Sequence, residues 1–305
     1  MAVLYKILRI VFVVIGTISI LLLLYVFLIP HFTGKEYSYN FGPGVHWYLR
    51  KYAQSYSPYN KYSDTHYGVS MRNSLDKSAA QEIRDYFQLD TLYSESDPTW
   101  QKTKKIACFV ASNIWHSNAG PNPEKKDAVS IWETFIANES GLNCRMHSIL
   151  LYELLSAAGI EARYITCLPK VDDGDCHVVN QVWLPELQKW AMIDSDMSGH
   201  YATNKKGIPL SLSEIRKYYA TKKYISYHKL LNDEECLVID SYYKYMAKNC
   251  FYFSCWEDLH FGQESANAAY DEKLIYLVPL GYTPDTVYPR SEIIDNDNIF
   301  WAAPL

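Results

Sequence analysis

The chain has 305 residues, of which 49% are hydrophobic and 21% charged, with a formal net charge of −5. This composition describes a globular protein of one large or two small domains rather than a disordered one, and its acidic balance excludes a nucleic-acid binder, which would carry a basic patch. Tyrosine is over-used, with 27 residues, and aromatic side chains in that number are read as core because each buries a large area.

At the N-terminus an uncharged run from Ile10 to Pro30 follows Lys6 and Arg9. As a helix rising about 1.5 Å per residue, such a run spans the ~30 Å hydrocarbon core of a bilayer. It exceeds the roughly 7–15 apolar residues of a cleavable signal, and it ends on bulky Tyr25-Val26-Phe27-Leu28-Ile29-Pro30 rather than on small residues. The expectation is a single N-terminal transmembrane signal anchor over 1–31, touching lipid through 10–30. Basic residues ahead of the span place the N-terminus in the cytoplasm and the main domain outside it. Residues 32–75 then form a tether or lobe rich in Tyr, Ser, Asn, Gly and Pro. Its aromatics argue against a disordered linker and for irregular structure packed on the main domain.

A catalytic domain is expected over 76–230. Its first helix starts near Ser78, with Ala79, Ile83, Tyr86 and Phe87 on one face. Asp97-Pro98 opens a second, which carries Trp100, Ile106, Ala107, Val110 and Ile114 and stops at Asn118-Ala119-Gly120-Pro121. A third follows Asp127 with Ala128, Ile131, Trp132 and Phe135. In the fourth, Asn143 is the cap, Cys144 lies in the first turn, and Ile149, Leu150, Leu151, Leu154, Leu155 and Ala158 form a wide apolar stripe ending at Gly159. Strands are predicted over 162–168, 176–184 and 189–194, with His177, Val179, Gln181 and Trp183 on one face. Further helices fall near 213–225 and 236–250 and a β-like stretch at 273–278, so that 231–305 reads as a C-terminal extension packed on the core.

Three residues in this frame carry chemistry. A thiolate is stabilised at a helix N-terminus by unpaired N–H groups and the positive end of the macrodipole, which is where Cys144 falls. An imidazole, His177, completes its activation, and a carboxylate, Asp194, accepts the other ring N–H. The 17-residue spacing from His177 to Asp194 suits an antiparallel hairpin with the histidine early on one strand and the aspartate late on the next. Backbone N–H groups at the start of the Cys144 helix would serve as an oxyanion hole.

Four motifs together make the chain similar to the transglutaminase-like superfamily: Gly141-Leu142-Asn143-Cys144, the helix end Ala158-Gly159-Ile160-Glu161-Ala162-Arg163, the strand from His177 to Trp183, and Trp190-Ala191-Met192-Ile193-Asp194. The resemblance covers roughly 100–200. It implies an α+β, papain-like core in which a nucleophile helix packs on an antiparallel sheet, with Cys144 as nucleophile, His177 as general base and acid, and Asp194 as orienting carboxylate. It also implies an upstream oxyanion donor, for which Trp115 and His116 are the candidates. Arg145-Met146 after the cysteine and Ser195-Asp196 after the aspartate depart from the family pattern and bear on substrate preference.

The remaining candidates carry less. His147 shares a helix face with Cys144, but a side chain leaning along its own helix is poorly aligned for proton transfer, so it reads as packed or solvated. Cys176 points by alternation away from the His177 face. Asp172, Asp173 and Asp175 lack the EF-hand pattern and read as a solvated turn. The seven cysteines (108, 144, 167, 176, 236, 250 and 255) include no CxxC zinc module, and neither a metal nor a cofactor is expected. The function expected is a membrane-anchored thiol enzyme acting on peptide or amide bonds of a peptide, protein or glycopeptide through an acyl-enzyme. Hydrolysis is preferred to amine transfer, since water is always available. The alternative is a catalytically inactive scaffold that binds peptides or glycans through the aromatic flanks 32–75 and 240–262.

Overall fold

The computed structural model describes residues 2–32, 57–172, 174–221, 223–231, 239–266 and 273–304, excepting the side chains of 2–4, 22–32, 57 and 239–241. It divides into two units, 1–48 and 49–305. The first contains helix α1 (Ala2–Phe32), 31 residues long, or about 46 Å at the α-helical rise. Its described apolar side chains, Phe12, Ile15 and Leu21 among them, are exposed. Among the described residues no helix is long and apolar enough to cross a membrane. Of the tether expected over 32–75, residues 33–56 lie outside the described residues.

In the second unit, polar caps set most helix starts. After the short strand β1 (Arg72–Asn73), α2 (Lys77–Phe87) is capped by Asp76, whose side chain accepts from the N–H groups of Ser78 and Ala79. The next helix, α3 (Thr99–Asn113), follows Pro98. Asp127 caps α4 (Ala128–Asn138) and Asn143 caps α5 (Cys144–Ala157). Because α3 ends at Asn113, Trp115 and His116 are not helical as expected. They lie on an extended segment, where His116 pairs with Leu142 in an isolated parallel bridge.

The strands β2 (Ala162–Leu168), β3 (His177–Leu184), β4 (Lys189–Asp194), β5 (His200–Thr203) and β6 (Ser226–Lys229) form an antiparallel meander, with α6 (Leu212–Thr221) between β5 and β6. Helix α7 (Ile239–Asn249) packs against both β6 and β2 and leads the chain from one edge of the meander to the other. There β7 (Tyr252–Trp256) pairs with β2. After β8 (Asp258–Leu259), which pairs with β1, β9 (Leu274–Leu277) and β10 (Ser291–Ile294) complete an eight-stranded sheet of order β10-β9-β7-β2-β3-β4-β5-β6. The fold is α+β as expected. The sheet departs from the expected pattern at one edge, where β9 and β10 run parallel. A short α8 (Asp297–Phe300) follows.

The centre of the unit is α5. Every residue from Met146 to Ala157 is buried, not the stripe alone. The reason is that α2, α3 and α4 cover one side of the helix while β2 and β3 take the other. Leu150, Leu151, Leu154 and Leu155 are wholly inaccessible, and each contributes about 1.5–3 kcal/mol by burial. Ser148 ties α5 to the neighbouring strand β3. Ser148 Oγ donates to the Val178 carbonyl at 2.7 Å, and Asn180 Nδ2 donates to the Ser148 carbonyl at 2.9 Å. These bonds hold α5 in register with β3, and so set Cys144 relative to His177.

Candidate active site

Cys144 is the first residue of α5 and is partly exposed. The Asn143 side chain accepts from the N–H groups of Arg145 and Met146, both at 3.1 Å. The Asn143 carbonyl accepts from His147 N–H at 3.0 Å. The cap therefore fixes the helix start beneath the thiol, and in doing so occupies two N–H groups expected to face an oxyanion. Of the first turn, the Cys144 N–H is the one these bonds leave over.

The approach to this helix depends on a glycine. Gly141 has φ +71, and a Cβ there would meet Trp115 Nε1 at 2.6 Å and Ser117 Cβ at 2.8 Å. Its bareness lets the Trp115 indole lie against the chain just ahead of Cys144. Ladder bonds from Leu142 N–H to the Trp115 carbonyl and from Ser117 N–H to the Leu142 carbonyl hold the two segments together. Trp115 is 52% exposed and packs edge-on against Phe135.

His177 and Asp194 meet across β3 and β4. The register pairs Asn180 with Ile193, which when continued sets residue 194 opposite Val179 and residue 196 opposite His177. Asp194 reaches the imidazole from the diagonal position, and its Oδ2 lies 2.6 Å from His177 Nε2. The same oxygen accepts from Tyr242 Oη at 2.7 Å, and Oδ1 accepts from Asp196 N–H at 2.8 Å. The other imidazole nitrogen, Nδ1, makes no hydrogen bond to nitrogen or oxygen, and the ring interacts with the Cys144 thiol. Burial pushes the His177 pKa down, but the charge and hydrogen bond of Asp194, with the Cys144 contact, outweigh it and raise the pKa well above the ordinary value. Such a ring favours its protonated form, as a thiolate–imidazolium pair requires.

A second carboxylate shares the site. Asp196 is fully buried, and atoms of Cys144, His177 and Asp196 lie within 4.8 Å of one another. His116 Nδ1 is 2.7 Å from Asp196 Oδ2, and His147 Nε2 is 3.5 Å from Asp196 Oδ1. Burial pushes the Asp196 carboxyl up, but His147 and His116 together bring it down to about 2. The residue also anchors the turn after β4. Its Oδ1 accepts from Met197 N–H at 2.8 Å and its carbonyl from Gly199 N–H at 2.8 Å, while Met197, Ser198 and Gly199 all have positive φ. At Gly199 a Cβ would fall 2.6–2.9 Å from Leu230, so this turn requires glycine.

Of Cys144, His177 and Asp194, the imidazole lies between the other two, 2.6 Å from Asp194 and in interaction with the Cys144 thiol. Trp115 and His116 lie beside the entry to α5, with one His116 nitrogen tied to Asp196. His147 is packed and fully buried, as expected, and burial lowers its pKa against the pull of Asp196 and Asp194. Cys176 differs from expectation. It precedes β3 instead of lying on it, so alternation does not turn it away, and Cys144 and Arg145 both act on its thiol. Arg145 is anchored by Glu264 at 2.8 Å and by Thr166 Oγ1 at 3.2 Å. Tyr242 went unrecognised because it arrives on α7 from the far end of the domain, and no local pattern marks it. Its ring stacks on His200 at 3.8 Å. Asp196 did carry a signal, since residues two apart near a strand end share a face with Asp194.

Among the described residues, Cys108, Cys144, Cys167, Cys176, Cys250 and Cys255 are free thiols; Cys236 lies outside them. Residues 77–195 match the model of the transglutaminase-like superfamily, a segment that runs from α2 to β4 and includes Cys144, His177 and Asp194. None of the curated proteins compared with the chain matches it. Two solved structures are similar. One, a candidate cysteine protease from Cytophaga hutchinsonii, has 16% identity and a TM-score of 0.31 over 53% of this chain. The other, a candidate protease from Parabacteroides distasonis, has 13% identity and a TM-score of 0.27 over 47% of it. The chain spans 55% of the first protein and 26% of the second.

Proposed function

We propose that this chain is a membrane-anchored thiol hydrolase that cleaves amide bonds in peptides or proteins through an acyl-enzyme at Cys144. The observation that carries the reading is the fixed order thiol, imidazole, carboxylate, with Cys144 at a capped helix start and His177 Nε2 held 2.6 Å from Asp194. Asp194 keeps the proton on Nε2, so that Nδ1 is the nitrogen presented to the thiol. The Cys144 thiolate attacks the amide carbon, and protonated His177 gives its proton to the departing amine. His177 then takes a proton from water, which attacks the thioester carbon; the C–S bond breaks, the carboxylic acid leaves, and the thiolate–imidazolium pair is restored. The tetrahedral oxyanion is met by the Cys144 N–H and by a donor from the 115–116 segment. Arg145 and Trp115, flanking the nucleophile, contribute to substrate choice.

The anchor belongs to the same proposal. The uncharged run 10–30, with Lys6 and Arg9 ahead of it, supports a single span with the catalytic unit outside the cytoplasm.

Iodoacetamide labelling of Cys144, followed by mass spectrometry across pH, tests the chemistry. Labelling should be faster than that of an ordinary free thiol and slow sharply in His177→Ala. Labelling at the rate of a free thiol, unaffected by His177→Ala, would leave the scaffold alternative standing. On any peptide substrate found, Cys144→Ala must abolish turnover while keeping the fold.

A further inference from the structure

The triad account uses Asp194 and leaves Asp196 without a chemical part, although Asp196 is buried and a carboxylate oxygen of it lies within 4.8 Å of the Cys144 sulfur and of a His177 ring nitrogen. A sulfur, an imidazole nitrogen and a carboxylate oxygen so grouped are the donor types that zinc takes, commonly three from the protein with a fourth position open. With Zn–S near 2.3 Å and Zn–N or Zn–O near 2.0–2.1 Å, tetrahedral ligand atoms stand roughly 3.3–3.6 Å apart. A contraction of at most about 1.5 Å from the observed separations would reach that.

The surrounding hydrogen bonds match what a metal site needs. A ligating histidine characteristically donates its other ring N–H to a carboxylate, and His177 Nε2 is already committed to Asp194. Its Nδ1 has no nitrogen or oxygen partner. A ligating carboxylate is itself hydrogen-bonded, and Asp196 is held by His116 at 2.7 Å and by Met197 N–H at 2.8 Å. The thiol alone of the three is partly exposed, so an ion enters from the substrate side.

We infer that the catalytic centre is also a zinc site, in which Cys144, His177 and Asp196 capture the ion and silence the nucleophile reversibly. The inference rests on the triad reading and adds regulation to it. Whether the resting pair is thiol and imidazole or thiolate and imidazolium, it carries one proton. Forming the Cys144–zinc and His177–zinc bonds releases that proton to solvent, with no change of oxidation state. Affinity should therefore weaken about tenfold for each unit of pH lost.

The test uses the full chain in detergent, titrated with zinc chloride against a chromophoric zinc chelator while Cys144 labelling is followed by mass spectrometry. One zinc per chain is expected, with labelling slowed at least about tenfold and restored by EDTA. Asp196→Asn should weaken zinc binding about tenfold or more. Cobalt chloride gives a second readout that survives misfolding of that variant. Wild type should show a thiolate-to-cobalt charge-transfer band, absent in Cys144→Ser. Unprotected labelling at saturating zinc, equal affinity in a folded Asp196→Asn, or a band that persists in Cys144→Ser would each overturn the site. Rapid His177-dependent labelling that zinc does not slow would sink the metal inference alone. Metal binding at a Cys144 of ordinary reactivity would sink the triad reading and keep the metal site.

Discussion

At Asp194 three donors converge, from His177, Tyr242 and the Asp196 backbone. Their unequal roles predict unequal losses. His177→Ala removes the imidazole beside the thiol and should slow Cys144 labelling more than Asp194→Asn, which keeps the ring but weakens its tautomer. Tyr242→Phe deletes a buried hydrogen bond to a charged group, costing about 1.5–3 kcal/mol. Labelling should fall while the circular dichroism spectrum stays native, and chemical denaturation would measure the stability loss. The partner carboxylate supplies a pH prediction. Asp196 sits near 2 in the folded chain and near 3.9 when unfolded, so between those values the unfolded chain holds more protons. Its contribution is thus complete above about pH 5 and is lost as pH falls toward 2. In Asp196→Asn the acid limb of the stability curve should flatten in that window; an unchanged limb would show that the His116 and His147 contacts do not hold the carboxylate charged.

The elements that present the thiol depend on features small in sequence. Asn143→Ala would leave the N–H groups of Arg145 and Met146 unmatched at the head of α5, at a cost of about 1 kcal/mol. The melting temperature should drop by a few degrees, and Cys144 labelling should change with it because the helix start frays. Gly141→Ala is harsher. It asks an L-residue to hold φ +71 while its methyl meets the Trp115 indole at 2.6 Å, so the indole must leave the entry to α5. Quenching of Trp115 fluorescence by iodide would register the shift, and an unaltered accessibility would contradict the packing described. At the other end of the site, the run of positive φ from Met197 to Gly199 concentrates backbone strain beside the acid pair, where the Asp196 bonds hold it.

Across the whole of the second unit, the segment after the core is part of the site's construction. Helix α7 brings Tyr242 to Asp194 and Tyr245 to within 5.2 Å of the His177 ring centre. Glu264 holds Arg145, and Glu153 on α5 accepts from the N–H groups of Ala128 at 2.6 Å and Gly262 at 2.7 Å. Removing 239–304 should therefore abolish fast Cys144 labelling although Cys144, His177 and Asp194 remain. A truncated chain that labels like wild type would show these contacts to be dispensable. For the unit at the N-terminus, deletion of 1–31 should free the catalytic unit from membranes, and membrane association that persists after deletion would contradict a single anchor.

Period and chemistry made α5 and the hairpin β3–β4 legible without coordinates, because an Asn cap, an apolar run closed by glycine, and alternating strands are local patterns governed by 3.6- and 2-residue repeats. Cys144, His177 and Asp194 followed from those repeats and from the resemblance their motifs carry. What the sequence could not reveal was set by contacts far apart in the chain. The all-round burial of α5 comes from three helices and two strands closing on it, the parallel edge of β9 and β10 from the return of the chain past β7, and the bond from Tyr242 from a helix 48 residues beyond Asp194. Asp196 stands between the two. Its strand face was written in its spacing from Asp194, but only the tertiary structure set His116 and His147 against it and brought it beside the thiol.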